Sequence, residues 1–288
     1  MIPGTSTEPG GVASGVPSTA ERESSLRRAL ADLGSVVVAF SGGVDSAYLA
    51  WVAADVLGSR ALAVTADSPS YPAHHRELAL RIAGEFALNH EFIRTDELSR
   101  PEYRANPENR CYYCKQELFA RLTLLARDRG YAAVVDGNNA DDRGDHRHGR
   151  EAAREFGVRS PLDEAGLTKA EIRALARAAG LPTWDEPASA CLSSRIPYYT
   201  EVTPERLERV ERAEAVVRRL GFRVVRVRHH DVVARLELGR DEMARALDPE
   251  VRALLVRELK AVGYRFVALD LDGYRVGSLN EPVRLKPV

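Results

Sequence analysis

The sequence predicts an α/β protein, a doubly wound parallel sheet followed by a smaller C-terminal α+β unit. Three observations predict it. Apolar runs alternate with amphipathic stretches from residue 21 to 135, a glycine-rich loop sits where the first apolar run gives way to a helix, and the order of elements changes after residue 197. The 288 residues exceed the roughly 100–200 usual for one domain, so two cores are expected, over 21–196 and 197–288. With 41 basic and 42 acidic side chains the formal charge is −1, which leaves no global field for gripping nucleic acid. No apolar run reaches the roughly 18–20 residues of a membrane span, and three cysteines in so long a chain suit reduced thiols in a cytoplasmic setting.

Gly, Pro, Ser and Thr make up 13 of the first 20 residues, so 1–20 is expected to be a disordered tail. Leu26, Ala29, Leu30 and Leu33 share one helical face ending at Gly34, and the apolar run 35–40 follows as a buried strand. The alternation continues as helix 45–57, strand 61–65, helix 73–86, strand 90–95, helix 114–129 and strand 132–135. Strands separated by helices imply parallel pairing. A short strand or loop at 157–162 precedes a helix capped by Thr168 and Glu171, which ends at Gly180-Leu-Pro182. A Pro- and Ser-rich loop then runs to Pro197. Thr203-Pro204 opens a helix whose Leu207, Val210, Val217 and Leu220 face one way, with Glu205–Arg209, Glu208–Arg212 and Glu214–Arg218 as i,i+4 pairs. Strands 223–228 and 232–238, helix 249–262 and strand 265–271 complete a small unit with an antiparallel sheet. Arg218, Arg219, Arg223, Arg226, Arg228, His229 and His230 form a run without an acid, which could hold substrate phosphate or RNA, although the alternation along 223–229 favours an ordinary polar, solvent-facing sheet face. No aromatic side chains interleave it as stacking platforms, which argues against RNA.

The chemistry-bearing loop is Ser41-Gly-Gly-Val-Asp-Ser46. Gly42 and Gly43 let the backbone approach an anion, the hydroxyls of Ser41 and Ser46 and a helix N-terminus supply donors, and Asp45 can reach Mg2+, so the loop suits a pyrophosphate. No Gly-Lys dipeptide and no G-x-G occur, which excludes the Walker A loop and the dinucleotide fingerprint. A second cluster, Asp136-Gly-Asn-Asn-Ala-Asp-Asp142, follows the fourth strand at the same carboxyl edge. Gly137, Asn138, Asp141 and Asp142 belong to the expected nucleotide and Mg2+ site, with Thr65 at the end of the second strand. Cys111 and Cys114 form a C-x-x-C pair beside Arg110 and Lys115, and Cys191 lies in a polar loop. Three sulfurs can hold a metal and leave a fourth position open; zinc completed by a histidine is the rival occupant, and three unrelated thiols the plain alternative.

The S-G-G-x-D-S loop resembles that of the PP-loop ATP pyrophosphatases, whose fold is adenine nucleotide alpha hydrolase-like and which cleave ATP between its α and β phosphates. Segments 41–46, 109–115, 136–149, 157–162, 167–171, 180–195 and 273–280 together resemble the LarE sulfur transferases of nickel-pincer nucleotide synthesis. That resemblance implies an enzyme that adenylates a carboxylate of pyridinium-3,5-biscarboxylic acid mononucleotide with ATP and converts it to a thiocarboxylate. Cys191 stands where one-cysteine members surrender their sulfur. The full set Cys111, Cys114 and Cys191 matches members that carry a [4Fe-4S] cluster and draw on a sulfide donor. Arg195 is the expected fork for the substrate's anions, Ser194 an added donor, Glu214 a residue reaching in from the second unit, and Arg147 a further nucleotide contact. His146 and His148 depart from the Tyr and Pro of the family pattern. A homo-oligomer is the expected assembly. A transfer-RNA thiolase and a nucleotide sensor without pyrophosphate release are the competing functions.

Overall fold

The computed structural model describes residues 16–144, 148–187, 190–275, 277 and 278. The expected tail at 1–15 lies outside them, and so does Arg147. Residues 19 and 20 are helical instead, because Ser18 and Glu21 close a capping box on helix α1 (Thr19–Leu33).

Strands β1 (Val36–Ala39), β2 (Ala61–Asp67), β3 (His90–Arg94) and β4 (Ala133–Val135) form a parallel sheet in the order β3-β2-β1-β4. Strand β1 pairs with β2 on one side, from Val36 opposite Ala61, and with β4 on the other, from Val36 opposite Ala133. The period-two pattern of β1 explains the two layers. Val36 and Val38 pack on a core that includes side chains of α1, α2 (Val44–Leu57), α3 (Ala73–Glu85) and α8 (Lys169–Ala178). Val37 faces a second core with Phe119, Leu122 and Ala126 of α5 (Arg110–Asp128) and Ala152 and Ala153 of α6 (His148–Glu155). Both faces are covered, as a parallel sheet requires. The short helices α4 (Pro101–Arg104) and α7 (Pro161–Glu164) each start on proline, and at 157–162 only a single parallel bridge, Val135 to Arg159, extends the sheet.

The second sheet, β5 (Val225–His230), β6 (Val233–Leu238) and β7 (Phe266–Leu269), is mixed rather than antiparallel. The hairpin β5–β6 is antiparallel, but α10 (Met243–Leu247) and α11 (Pro249–Val262) cross over between β6 and β7 and return the chain parallel. Val225 and Val227 face the core formed with α9 (Pro204–Arg219) and α11. The alternate residues Arg226 and Arg228 are buried too, which corrects the reading of that face as solvated. A smaller cluster joins Tyr103 of α4, Leu192, Ile196 and Val202 of the intervening loop, and Leu207 and Val210 of α9. This cluster seats the loop carrying Cys191 between the two sheets.

Candidate active site at the carboxyl edge of the sheet

In the order β3-β2-β1-β4 the chain leaves β1 toward one side and reaches β4 on the other, and the crevice at such a switch point is where doubly wound sheets take ligands. Loop 41–46 leaves β1 there and segment 136–142 leaves β4. Ser46 Oγ accepts from the Ser41 amide at 3.1 Å and donates to the Gly43 carbonyl at 3.1 Å, closing the loop into a ring. Gly42 holds φ +72°, and a Cβ there would stand 3.2 Å from the His75 carbonyl. At Gly137 a Cβ would come within 3.0 Å of the Ser46 amide nitrogen, so the second segment packs directly on the first.

Asp45 is raised by burial and drawn back by Lys169, whose ammonium bonds its Oδ2, while Asp142 lies close enough to push it up again. Its Oδ1 is buried without a hydrogen-bond partner. An orphaned carboxylate oxygen beside a second carboxylate fits a hard cation such as Mg2+. Asp141 accepts from the Lys169 amide at 2.8 Å, and Asn138 bonds Asp136 at 2.6 Å, so both shape the edge. Thr65 is fully buried, and its hydroxyl pairs with His90 at 2.9 Å. Lys169 was missed by sequence reasoning, although it sits one residue after the cap Thr168 and its basic head in a helix first turn is an exception to the dipole preference.

Helix α5 begins at Arg110, four residues before the expected start, because Pro107 and Asn109 already accept turn bonds from Arg110 and Tyr112. Cys111 and Cys114 therefore lie at i and i+3 on one helix face. Desolvation, then Glu97 and the other two thiols, raise the half-buried Cys114; Cys111, although exposed at the surface, is raised by the desolvation of its thiol against the pull of Arg110, with Cys191 adding to the rise. The three thiols thus feel one another's charge. The three sulfurs do not gather within 4.8 Å of one another. Arg110, 2% exposed, spans the thiols and donates to the Ser193 carbonyl at 3.2 Å. The buried carboxylate of Glu97, which accepts from Ser68 and Ser70 at 2.6 Å each, is a second residue beside the thiols that no motif marked.

The loop bearing Cys191 is clamped. The Leu192 amide donates to the Ser70 carbonyl at 2.8 Å, and Tyr103 meets the Ser193 hydroxyl at 2.6 Å. Arg195 corrects an expectation. Its guanidinium is 0% exposed, donates twice to Glu214 at 2.7 and 3.1 Å, and reaches the carbonyls of Ala190 and Cys191 at 2.6 and 2.9 Å. With its donors turned inward, the fork positions the Cys191 loop instead of greeting a substrate anion. Ser194 is occupied likewise, donating to the Cys191 carbonyl at 2.8 Å and accepting from Arg195 at 2.9 Å. Glu214 also accepts from Arg218 at 2.9 Å and the Val227 amide at 3.1 Å, so its pair with Arg218 is buried on the acid side rather than solvated. Arg228 donates to the Ser194 carbonyl at 2.6 Å and to Glu237 at 2.7 Å. One short strap joins the two centres: Ser70 holds Leu192, and the next residue, Tyr71, donates its hydroxyl to the Ser41 carbonyl at 3.0 Å.

A four-stranded sheet with a Ser-Gly-Gly-Val-Asp-Ser ring at its switch point places the chain in the PP-loop class of nucleotide-using enzymes. A family model for NAD synthase matches residues 19–141, the segment that carries this sheet. The chain is similar, at 39% identity over 91% of its length and 95% of the relative's, to the pyridinium-3,5-bisthiocarboxylic acid mononucleotide synthase of Lactiplantibacillus plantarum. Uncharacterized proteins of Synechocystis sp. and Methanocaldococcus jannaschii are 46% and 27% identical over 88% and 83% of the chain, and the matches cover 95% and 90% of those proteins. The chain belongs to the family of pyridinium-3,5-bisthiocarboxylic acid mononucleotide synthases, the LarE family of sulfurtransferases.

Proposed function

We propose that this chain adenylates a carboxylate of pyridinium-3,5-biscarboxylic acid mononucleotide with ATP and then exchanges the activated oxygen for sulfur. The observation that carries the reading is the strap 70–71, which ties the pyrophosphate ring at Ser41 to the thiol-bearing loop at Leu192. A carboxylate is a poor electrophile. Its oxygen attacks the α-phosphorus, and pyrophosphate leaves into the ring 41–46. Sulfide then adds at the acyl carbon, and AMP departs with the original oxygen. Asp45 and Asp142 hold Mg2+ beside the phosphates, and Gly137 keeps the second segment close to the ring. Cys111, Cys114 and Cys191 hold a [4Fe-4S] cluster, a donor set of soft thiolates that suits it. When bound, that cluster supplies an exchangeable site for sulfide, so that Cys191 is retained and an outside sulfide donor sustains turnover. Arg195, Glu214 and Arg228 fix the Cys191 loop. The division into units 21–196 and 197–288 and assembly as a homo-oligomer belong to the same proposal; light scattering on the eluted protein reads the latter.

Burial of Arg226 and Arg228 removes two cations from the surface that a transfer-RNA thiolase would need, and so favours a small substrate. Incubation with ATP, Mg2+ and the mononucleotide tests the first step. AMP and pyrophosphate released only when the carboxylate substrate is present support the proposal; ADP as the product contradicts it.

A further inference from the structure

The start of α3 carries two adjacent histidines that the sulfur-transfer chemistry does not use. One ring nitrogen each from His74 and His75 and a carboxylate oxygen of Glu186 lie within 4.8 Å of one another, the sole such trio of ligand atoms among the described residues. His75 is 3% exposed. Nδ1 of His74 and Nε2 of His75 are both buried without a hydrogen-bond partner. An orphaned buried ring nitrogen costs roughly 1–3 kcal/mol of desolvation, and each of these two histidines carries one.

We propose that His74, His75 and Glu186 form a binding site for a single zinc-like divalent transition metal, separate from the three thiols and from the carboxylates that hold Mg2+. Two imidazoles and one carboxylate make a borderline donor set that suits zinc and its neighbours and leaves a position open, whereas magnesium prefers oxygens alone. The supports that such a site needs are present. The His75 ring stands edge-on to Tyr71, with ring centroids 6.3 Å apart, and the Tyr71 hydroxyl is itself held by the Ser41 carbonyl at 3.0 Å. The Glu186 backbone is fixed by its amide bond to the Thr183 carbonyl at 3.1 Å and by Arg173 at 2.7 Å.

Charged groups facing the site are mixed: Arg195, Arg218 and Arg226 oppose a cation, Arg195 and Arg218 are paired with Glu214, and Glu186 brings the negative charge next to the ion. Bound there, the metal clips the first turn of α3 to the loop that leads into Cys191, beside the ring that holds pyrophosphate.

The thiols would also bind zinc or cobalt, so the test uses the full chain carrying Cys111→Ser, Cys114→Ser and Cys191→Ser, with circular dichroism to confirm that it is folded. Zn2+ titrated against a chromophoric chelator should show one ion per chain, and the melting temperature should rise with added Zn2+. His74→Ala and Glu186→Gln in that background should each weaken binding by about tenfold or more and remove the thermal shift. Co2+ added to the chain with its own cysteines gives the same answer if the thiol-free chain is unfolded: bands lacking sulfur-to-cobalt charge transfer should disappear with His74→Ala while the thiolate bands stay. No metal bound by the thiol-free folded chain, equal affinity in both variants, or sulfur-free cobalt bands that survive His74→Ala overturns the proposal.

Discussion

Gly137 and Lys169 show how single residues set the ring 41–46. A methyl group at 137 meets backbone at Ser46, 3.0 Å from its nitrogen and 3.2 Å from its Cα, and backbone cannot turn aside as a side chain can. Gly137→Ala should therefore displace the ring, lowering stability by about 1–3 kcal/mol and AMP formation by about tenfold or more, read by thermal melting and by pyrophosphate release. Lys169 holds down a carboxyl that burial raises. Removing it in Lys169→Ala lets Asp45 rise further, so the ionised form needed for Mg2+ is reached only at higher pH, and the acid limb of the pH profile of AMP formation should shift upward. An unmoved limb would take Lys169 out of the site. Glu214 gives the opposite sign: burial would raise it, but Arg195 and Arg218 hold it at about 2 against an ordinary 4.5. Its folded value is depressed, so its contribution is complete above about 4.5 and is lost as pH falls from there through about 2. Glu214→Gln leaves Arg195 buried without its counter-charge, and should cost about 3–5 kcal/mol at neutral pH while flattening acid unfolding in that window.

At the scale of elements, how well the sequence could be read depended on which force set each segment. The alternating strands and helices of the first sheet were legible because burial on both faces makes each strand a continuous apolar run, as in 35–40, and each helix an amphipathic stripe. The ring 41–46 was legible because its glycines and hydroxyls are required locally. Arg226 and Arg228 were not. Alternation with Val225 and Val227 says only that they face away from their own core; Arg228 meets the Ser194 carbonyl from about thirty residues earlier, and Arg226 lies over the ring of Tyr274, about fifty residues later. Arg195 misled for the same reason, since its partner Glu214 is 19 residues away and already had an i,i+4 match in Arg218. The parallel return of β7 could have been read from the helix before it, because a hairpin cannot hold one. Helix α5, begun earlier than its apolar pattern shows, brings Cys111 onto the same face as Cys114. Cys111→Ser should consequently abolish iron binding after anaerobic reconstitution while leaving far-ultraviolet circular dichroism unchanged; full iron retention would free this thiol from the cluster.

Across the whole molecule, the proposed reaction assigns activation to the first sheet and sulfur delivery to the loop between the sheets, with the second sheet acting as the buttress. Arg228 reaches from β5 to the Ser194 carbonyl, and Arg195 reaches back to Glu214 on α9, so the Cys191 loop is held from both sides. In the proposed reaction three thiols hold a renewable sulfur centre at that junction, rather than one sacrificial cysteine. Anaerobically reconstituted protein incubated with ATP, Mg2+, sulfide and the biscarboxylate mononucleotide tests it most directly, with thiocarboxylate product and intact protein mass read in the same mass-spectrometric run. The account predicts several products per chain and a protein of unchanged mass. Product that stops at one per chain, with protein lighter by the mass of hydrogen sulfide at Cys191, would contradict it.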